Sequence, residues 1–374
     1  MHLAFVVNNA DFLVSHRLVL VKGAIAAGYR VTAIAPESES DSFVTLRALG
    51  AQVVPWRLRR TGQRPHEEAL ALAQLIKLYR ELKPDLTHHV TVKAMLYGSL
   101  AARATGVRAV VNAVSGLGFV FLSTGVRAQL RRRALKLGYE MALSTPNSAV
   151  ILQNDDDEKA LRQLGVLERA RVVKIRGSGV DLNQFAVAPE PGGVPLVVLP
   201  ARMLVDKGVR EFVAAARAVK AKVEVRFALV GGEDVGNPQS VPRAELDAWV
   251  REGIVEWWGH RSDMPEVLRQ ATVVALPSYR EGMPRSLLEA AAMGRAMVTT
   301  DVAGCRDAVA GGQIGVLVPW KDSAALATAI EKLLVDHSER HRLGQAAARY
   351  ARENFSEDGV LARHLELYAS LLPG

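Results

Sequence analysis

Short β-branched runs alternate with longer amphipathic stretches along almost the whole chain, and this alternation constrains the fold more than any single motif. In the first half LAFVV, YRVTAIA, AQVVPW, DLTHHV, AVVNAV and AVILQN read as strands. Segments between them, such as HEEALALAQLIKLYRELK, carry apolar residues at helical spacing. The second half repeats the pattern with PLVVLPA, VRFALVG, IVEWWG, VVALPS and AMVTT, and three helical segments follow GVLVPW. Strand–helix alternation of this kind predicts parallel, doubly wound sheets covered by helices on both faces. At 374 residues the chain exceeds the usual size of a single core, so two domains are expected. The aperiodic, Pro- and Gly-rich stretch AVAPEPGGVP (186–195) sets the break, giving a first domain over 1–186 and a second over 187–355. Two such sheets predict a cleft between their carboxyl ends, the place where open α/β sheets bind ligands.

Cys305 is the only cysteine, which excludes an internal disulfide and points to a reducing compartment. The start, MHLAFVVNNADF, has neither the charged region nor the long apolar region of a secretory signal. No apolar run approaches the roughly 20 residues of a membrane span. A cytoplasmic protein, at most peripheral to a membrane, is therefore expected. The formal charge of +8 is concentrated: residues 1–186 hold 25 Lys+Arg against 15 Asp+Glu, whereas residues 187–374 hold 22 against 24. The first half should face something anionic, whether nucleic acid, anionic lipid or a phosphorylated substrate.

Four residues of the second half carry the chemistry. In ARMLVDKGV, Arg202 falls just past a strand and Lys207 just before a helix, where two cations can neutralise a diphosphate and the charge it gains on leaving. As an isolated pair they read more readily as solvated surface charges, and it is the downstream motifs that reverse this. In SYREGMPRSLLEAAAMG, Pro284, Arg285 and Ser286 fall at a helix start, Glu281 precedes it, and Glu289 lies one turn further in. The backbone N–H groups of Gly282, Met283 and the first turn suit an anion, and Glu289 suits a vicinal diol. Helix-dipole compensation explains either carboxylate alone, but not the pair with glycine and proline between. Gly231 and Gly232 end the strand in FALVGG and permit close backbone approach, as any turn glycines do. After WWG, the loop carrying His260 and Arg261 can frame a flat base, with Trp257 and Trp258 as packing aromatics.

Asp155-Asp156-Asp157 resembles an Asp-x-Asp metal clamp superficially. It reads better as a capped helix start led by Asn154, and no other His/Cys/carboxylate cluster suggests a metal. Arg127, Arg131, Arg132, Arg133 and Lys136 interleave with apolar residues beside SGLGFVFLSTG. This basic amphipathic helix suits docking on an anionic membrane surface, or is an ordinary solvated helix. RLRRTGQR (57–64) adds a second basic loop. Asn8, His16, Arg17, His88, His89, Lys93, Ser115 and Gly116 fall near predicted strand ends of the first half and are candidates to line an acceptor site.

Taken in order, ARMLVDKGV, ALVGG, WWGHRSDMPEVL, LPSYREGMPRSLLEAAAMG and TTDVAGCRDAV resemble family 4 of the glycosyltransferases. PDLTHHVTVKAMLYGSLAA, SGLGFVF and IRGSGVDLNQF extend the resemblance over nearly the whole chain. SHRL, VKAMLYG, GLG and AGC look most like bacterial members that extend a sugar on undecaprenyl diphosphate in surface-polysaccharide or glycan assembly. The resemblance implies a GT-B fold of two facing Rossmann-like domains, with the last helix (356–374) crossing back to the first. It implies a hexosyl- or N-acetylhexosaminyltransferase that retains anomeric configuration, needs no metal or other cofactor, and takes a UDP-sugar donor and a lipid-diphosphate-linked sugar acceptor at the inner face of the cytoplasmic membrane. Arg202 and Lys207 then match the diphosphate-binding pair, Glu281 the glutamate against the donor sugar, and Glu289 the ribose-binding one. Arg285 and Ser286 match the helix start beside the phosphates, and His260 and Arg261 the base-binding loop. Many relatives have a first-domain His where this chain reads NAVSGLG, so Ser115 stands in its place and that role does not transfer. A soluble acceptor is the alternative. A nicotinamide-dependent oxidoreductase fits worse, because NNADFLVSH lacks the Gly-x-Gly-x-x-Gly turn. A nucleic-acid-binding module would leave Glu281 and Glu289 unexplained.

Overall fold

The computed structural model of the protein describes residues 1–38, 40–58, 64–114 and 136–372. Two compact units divide the chain, Met1–Ser178 with Asp358–Gly374, and Gly179–Glu357.

The first unit is built on seven strands: β1 (His2–Val7), β2 (Arg30–Ala35), β3 (Gln52–Pro55), β4 (Leu86–Val90), β5 (Ala109–Val114), β6 (Ser148–Leu152) and β7 (Arg171–Lys174). They pair in parallel in the order β3-β2-β1-β4-β5-β6-β7. The connections are the helices α1 (Ala10–Ala26), α2 (Ser42–Ala48), α3 (Pro65–Leu82), α4 (Val92–Thr105), α5 (helical over 136–143) and α6 (Asp155–Gln163). Every residue of β1 is buried, and alternate side chains enter different cores, as a strand's pleat requires. Leu3, Phe5 and Val7 pack with Leu13, Leu20 and the C-terminal Val360, Leu367 and Tyr368. Ala4 and Val6 pack with Trp56, Leu75, Tyr79 and Ala101. The C-terminal segment thus completes one helical layer of the first unit.

The second unit repeats the plan with β8 (Leu196–Pro200), β9 (Arg226–Val230), β10 (Glu256–Trp257), β11 (Val273–Leu276), β12 (Ala296–Thr300) and β13 (Val316–Val318). Their order is β10-β9-β8-β11-β12-β13, again all parallel. Its helices are α7 (Val209–Lys220), α8 (Arg243–Arg251), α9 (Met264–Gln270), α10 (Arg285–Ala292), α11 (Cys305–Ala308), α12 (Ser323–Val335) and α13 (His337–Asn354), and α14 (Glu357–Leu371) leads back to the first unit. Val197 and Leu199 face Phe212 and Phe227, whereas Leu196 and Val198 face Leu287, Met293 and Phe355. In each sheet the first strand lies between the second and the fourth, so β1/β4 and β8/β11 are the switch points where successive connections part.

The boundary falls at Ser178–Gly179, earlier than the 186–195 stretch. Residues before that stretch already belong to the second core: Val180 and Phe185 are buried there, and Val180 N–H donates to the Phe355 carbonyl at 2.8 Å. β7 and β13 are strands that the residue pattern did not signal. Both are short edge strands, of four and three residues, with half-exposed patterns. Among the described residues, no helix is long and apolar enough to cross a membrane.

Candidate active site

β8 and β11 flank the switch point of the second sheet, and Lys207 and Glu281 lie on the loops that leave their carboxyl ends. Lys207 closes a 3₁₀ turn, Val205–Lys207, directly before α7. Gly208 follows with φ of 71°, and a Cβ there would sit 2.1 Å from the Pro277 carbonyl oxygen. Only glycine tolerates both the left-handed backbone and that approach, so it is Gly208 that lets the β8 turn press against the β11 loop. The result is a contact between the two loops: Lys207 Nζ donates to Glu281 Oε1 at 2.5 Å. Ser278 Oγ donates to the same oxygen at 2.7 Å, so one carboxylate oxygen is held from two sides. The two side chains are only 18% and 13% exposed, which limits screening of their charges. Behind Glu281, its N–H donates to the Ala303 carbonyl at 3.1 Å, and Gly304, at φ 76°, would bring a Cβ within 2.5 Å of the Glu281 carbonyl oxygen. The neighbouring Asp206 is pushed above the ordinary carboxylate range by burial, an effect that the Lys207 charge opposes.

A second cluster lies at the ends of β8 and β9. A Cβ on Gly231 would sit 1.8 Å from the Ala201 carbonyl oxygen, one on Gly232 would touch His260 Cβ at 3.5 Å, and the Gly232 carbonyl accepts from Met203 N–H at 3.0 Å. Arg202 is half-exposed and its guanidinium pairs with Asp234 at 2.5 Å, an oxygen that Asn237 Nδ2 also reaches at 2.9 Å. Trp257 Nε1 donates to the Gly231 carbonyl at 2.9 Å, while the Arg243 guanidinium lies 4.4 Å over its ring. Arg261 forks onto Asp263 at 2.7 and 2.5 Å, 5.9 Å over the Trp258 ring, and so braces its own loop.

The third element is the start of α10. Pro284 is its N-cap, Met283 is buried before it, and Arg285 and Ser286 open the first turn. First-turn backbone N–H groups and the positive dipole end favour an anion at such a start. Glu289 is buried one turn along and accepts from Arg285 Nε at 2.7 Å. Burial raises its pKa above the ordinary glutamate value, and the Arg285 cation opposes that rise.

The first-unit candidates divide. Asn8 is half-buried at the carboxyl end of β1, beside Asn9, whose side chain caps α1. His16 stacks on Phe12 at 4.3 Å and its Nδ1 meets Ser15 Oγ at 2.7 Å. Lys93 opens α4 and pairs with Glu68 at 2.7 Å. Arg17 and His88, by contrast, are interior residues and line no surface of the first unit. Arg17 is 2% exposed and donates to the Gly177 carbonyl at 3.1 Å, and His88 Nδ1 meets the Tyr368 hydroxyl at 2.6 Å. His89 is likewise buried, between the Tyr79 hydroxyl and Asn112. Ser115, Gly116, Arg127, Arg131, Arg132 and Arg133 lie outside the described residues, and Lys136 is exposed with Glu140 at 3.6 Å. Asn154 caps α6 by accepting from Asp157 N–H at 2.7 Å, and the three aspartates fill its first turn. Among the described residues, no group of three His, Cys, Asp or Glu is arranged to hold a metal.

Sequence reasoning passed over Ser278, Asp206, Gly208 and Asp234 as parts of this site. Ser278 and Glu281 are three residues apart on one loop, a spacing that could have linked them, and Gly208 directly follows the marked lysine. Asp234 had no signal, since its link to Arg202 spans 32 positions.

The arrangement can neutralise an anion with two fixed cations and present two carboxylates to hydroxyl-bearing groups. The family model described as "Glycosyl transferase 4-like" matches residues 2–148, and "Glycosyl transferases group 1" matches residues 194–336. The chain is 29% identical to the N,N'-diacetylbacillosaminyl-diphospho-undecaprenol α-1,3-N-acetylgalactosaminyltransferase of Campylobacter jejuni, over 98% of both chains. It is 27% identical to the UDP-Gal:α-D-GlcNAc-diphosphoundecaprenol α-1,3-galactosyltransferase of Escherichia coli, over 71% of this chain and 70% of that one. Among solved structures, Anabaena HepE in complex with UDP superposes with a TM-score of 0.78 at 20% identity, covering 99% of this chain and 100% of the other. With two parallel switch-point sheets, the GT-B fold, and glycosyltransferase models matched in both halves, the chain belongs to the group 1, family-4-like glycosyltransferases.

Proposed function

We propose that the protein transfers a hexose or N-acetylhexosamine from a UDP-sugar to a sugar already carried on a polyprenyl diphosphate, with retention at the anomeric carbon and no metal ion. The observation that carries this reading is the Lys207–Glu281–Ser278 contact at the β8/β11 switch point. It holds a cation and a carboxylate side by side where a nucleotide-sugar diphosphate and its sugar would adjoin. The relatives support the substrates: the Campylobacter jejuni and Escherichia coli enzymes are both named for diphosphoundecaprenol-linked acceptors, the second also for a UDP donor.

In this mechanism Arg202 and Lys207 bind the diphosphate, and the α10 N-terminus with Arg285 and Ser286 adds backbone and side-chain donors. Glu289 accepts hydrogen bonds from the ribose hydroxyls, and the loop at His260 borders the base. The bond between the anomeric carbon and the β-phosphate oxygen breaks, and Lys207 and Arg202 offset the charge that collects on UDP. Glu281, fixed by Lys207 and Ser278, positions the donor sugar and offsets positive charge at its anomeric carbon. The acceptor hydroxyl oxygen forms the new bond on the face that UDP leaves, and its proton passes to the departing phosphate oxygen. Two protein cations supply the charge compensation that a divalent ion brings elsewhere. The basic stretch around Arg127, Arg131, Arg132, Arg133 and Lys136 would hold the protein at an anionic membrane carrying the acceptor.

The test is transfer of labelled sugar from a panel of UDP-sugars to a short-chain polyprenyl-diphosphate-linked sugar, with and without EDTA, alongside thermal shifts with UDP. UDP should raise the melting temperature, and lipid-extractable label should persist in EDTA. Absence of UDP stabilisation refutes the donor, loss of turnover in EDTA refutes metal independence, and transfer only to soluble sugars refutes the acceptor.

A further inference from the structure

A second polar pocket lies at the opposite end of the same sheet, where β11 and β12 begin, on the far side from Lys207 and Glu281. It encloses about 330 Å³ between the 187–190 segment, the turn Gly294–Ala296 and one face of α13. Its floor is backbone: a Cβ on Gly344 would sit 2.3 Å from the Gly294 carbonyl oxygen, so α13 is pressed against the entry to β12. Val187, Ala188 and Ala348 form an apolar wall.

Four arginines, Arg295, Arg340, Arg349 and Arg352, line the rest together with Glu190, Thr272, His341 and Gln345. Arg295 is 2% exposed, its Nη2 donates to the Pro189 carbonyl at 2.9 Å, and its Nε is buried with no acceptor. A buried guanidinium with an empty donor is costly unless an anion reaches it. The one carboxylate in the wall, Glu190, is already taken: Arg340 Nε meets both its oxygens at 3.0 Å. Arg349 and Arg352 also line the pocket from α13, and the side chain of neither pairs with a described residue. Buried Arg295 and exposed Arg349 and Arg352 therefore converge on one pocket whose single lining carboxylate, Glu190, is bound by Arg340.

We propose that this pocket binds a small phosphorylated molecule, its phosphate held by Arg295, Arg349 and Arg352 and its carbon body against Val187, Ala188 and Ala348. Guanidinium forks match phosphate oxygens two at a time, which favours phosphate over a monovalent anion. The volume lies near the lower limit of ligand pockets and suits a phosphate ester rather than a whole nucleotide sugar.

The experiment is calorimetric titration of the full-length protein with glycerol 3-phosphate at constant ionic strength. It compares wild type, Arg349→Ala/Arg352→Ala, and Arg202→Ala/Lys207→Ala. Arg349 and Arg352 are exposed, so the first double variant should keep its melting temperature. Wild type and the Arg202/Lys207 variant should bind alike, and the Arg349/Arg352 variant about tenfold or more weakly. Equal affinity in the Arg349/Arg352 variant, loss of binding in the Arg202/Lys207 variant, or no binding by wild type at millimolar ligand overturns the proposal. So does binding to phosphatidic acid vesicles through Arg349 and Arg352 without binding of free glycerol 3-phosphate, which would assign the pocket to a lipid headgroup.

Discussion

Lys207→Ala separates the two things that this lysine does. It removes a cation from the diphosphate, and it leaves Glu281 without the partner now 2.5 Å away. Two unit charges about 4 Å apart at an effective dielectric near 20 attract by about 4 kcal/mol, and closer contact gives more. Desolvation of both groups returns much of that, and the pair is not fully enclosed, so the net loss of folding stability should be about 1–3 kcal/mol. Ser278 remains on the Glu281 carboxylate and limits the damage. The catalytic loss is a separate quantity. A preorganised donor aimed at charge that develops in the transition state is worth about 10²- to 10³-fold in kcat, or about 2.7–4 kcal/mol. Urea denaturation followed by fluorescence of the five tryptophans measures the first term. Single-turnover transfer of labelled sugar at saturating donor, well below the melting temperature, measures the second. Lys207→Arg retains charge but not geometry and should fall between Ala and wild type. The reasoning is refuted if folded Lys207→Ala turns over within about threefold of wild type, or if its rate falls only in proportion to the unfolded fraction.

Gly208→Ala should reproduce much of that loss without removing any charge. Its Cβ would need to displace the Pro277 carbonyl, 2.1 Å away, and the left-handed backbone adds about 1–2 kcal/mol of strain, so UDP affinity measured by calorimetry should drop with Lys207 still present. Glu289→Gln should raise the melting temperature at neutral pH while weakening UDP binding. Burial raises the folded pKa of Glu289 above the unfolded value of 4.5, so the native state holds more protons, and wild-type stability falls as pH rises through that window. The advantage of the glutamine variant over wild type should therefore shrink in melting curves as the pH is brought below 4.5. Cys305 is fully buried and its thiol is pushed up to about 12, chiefly by burial, so a disulfide reagent at pH 8 should label it only after denaturation. Rapid labelling of the native protein would contradict the packing behind Glu281.

The alternation of strand and helix was legible because both sheets are parallel and buried on both faces, which makes their strands continuous apolar runs. β7 and β13 escaped because they are short edge strands that lack such a run. The break at 178–179 escaped for a different reason. Composition marks where the chain is aperiodic, whereas the boundary depends on which core Val180 and Phe185 enter.

The charged residues of the candidate site stand out in the sequence and their supports do not, and the same physics explains both. Arg202, Lys207, Glu281 and Glu289 are expensive residues to place near a core, so their positions beside strand ends and a helix start already suggested a ligand. What lets the loops of Lys207 and Glu281 meet is close backbone approach at Gly208 and Gly304, and a glycine looks alike in sequence whether it closes a turn or admits a neighbouring carbonyl. The converse error appears at Arg17 and His88. Polar residues near strand ends suggested an open surface, yet the structure folds α14 over them, and Tyr368 on that helix meets His88. That helix is 280 positions away from His88 in the chain, so no local reading of SHRL or DLTHHV could register the cover. Lys207 and Glu281 were marked because each stands just past the end of its own strand, although the contact between them spans 74 positions. His88 also stands on a strand, but the helix that covers it arrives from the far end of the chain and removes the surface that a local reading suggests.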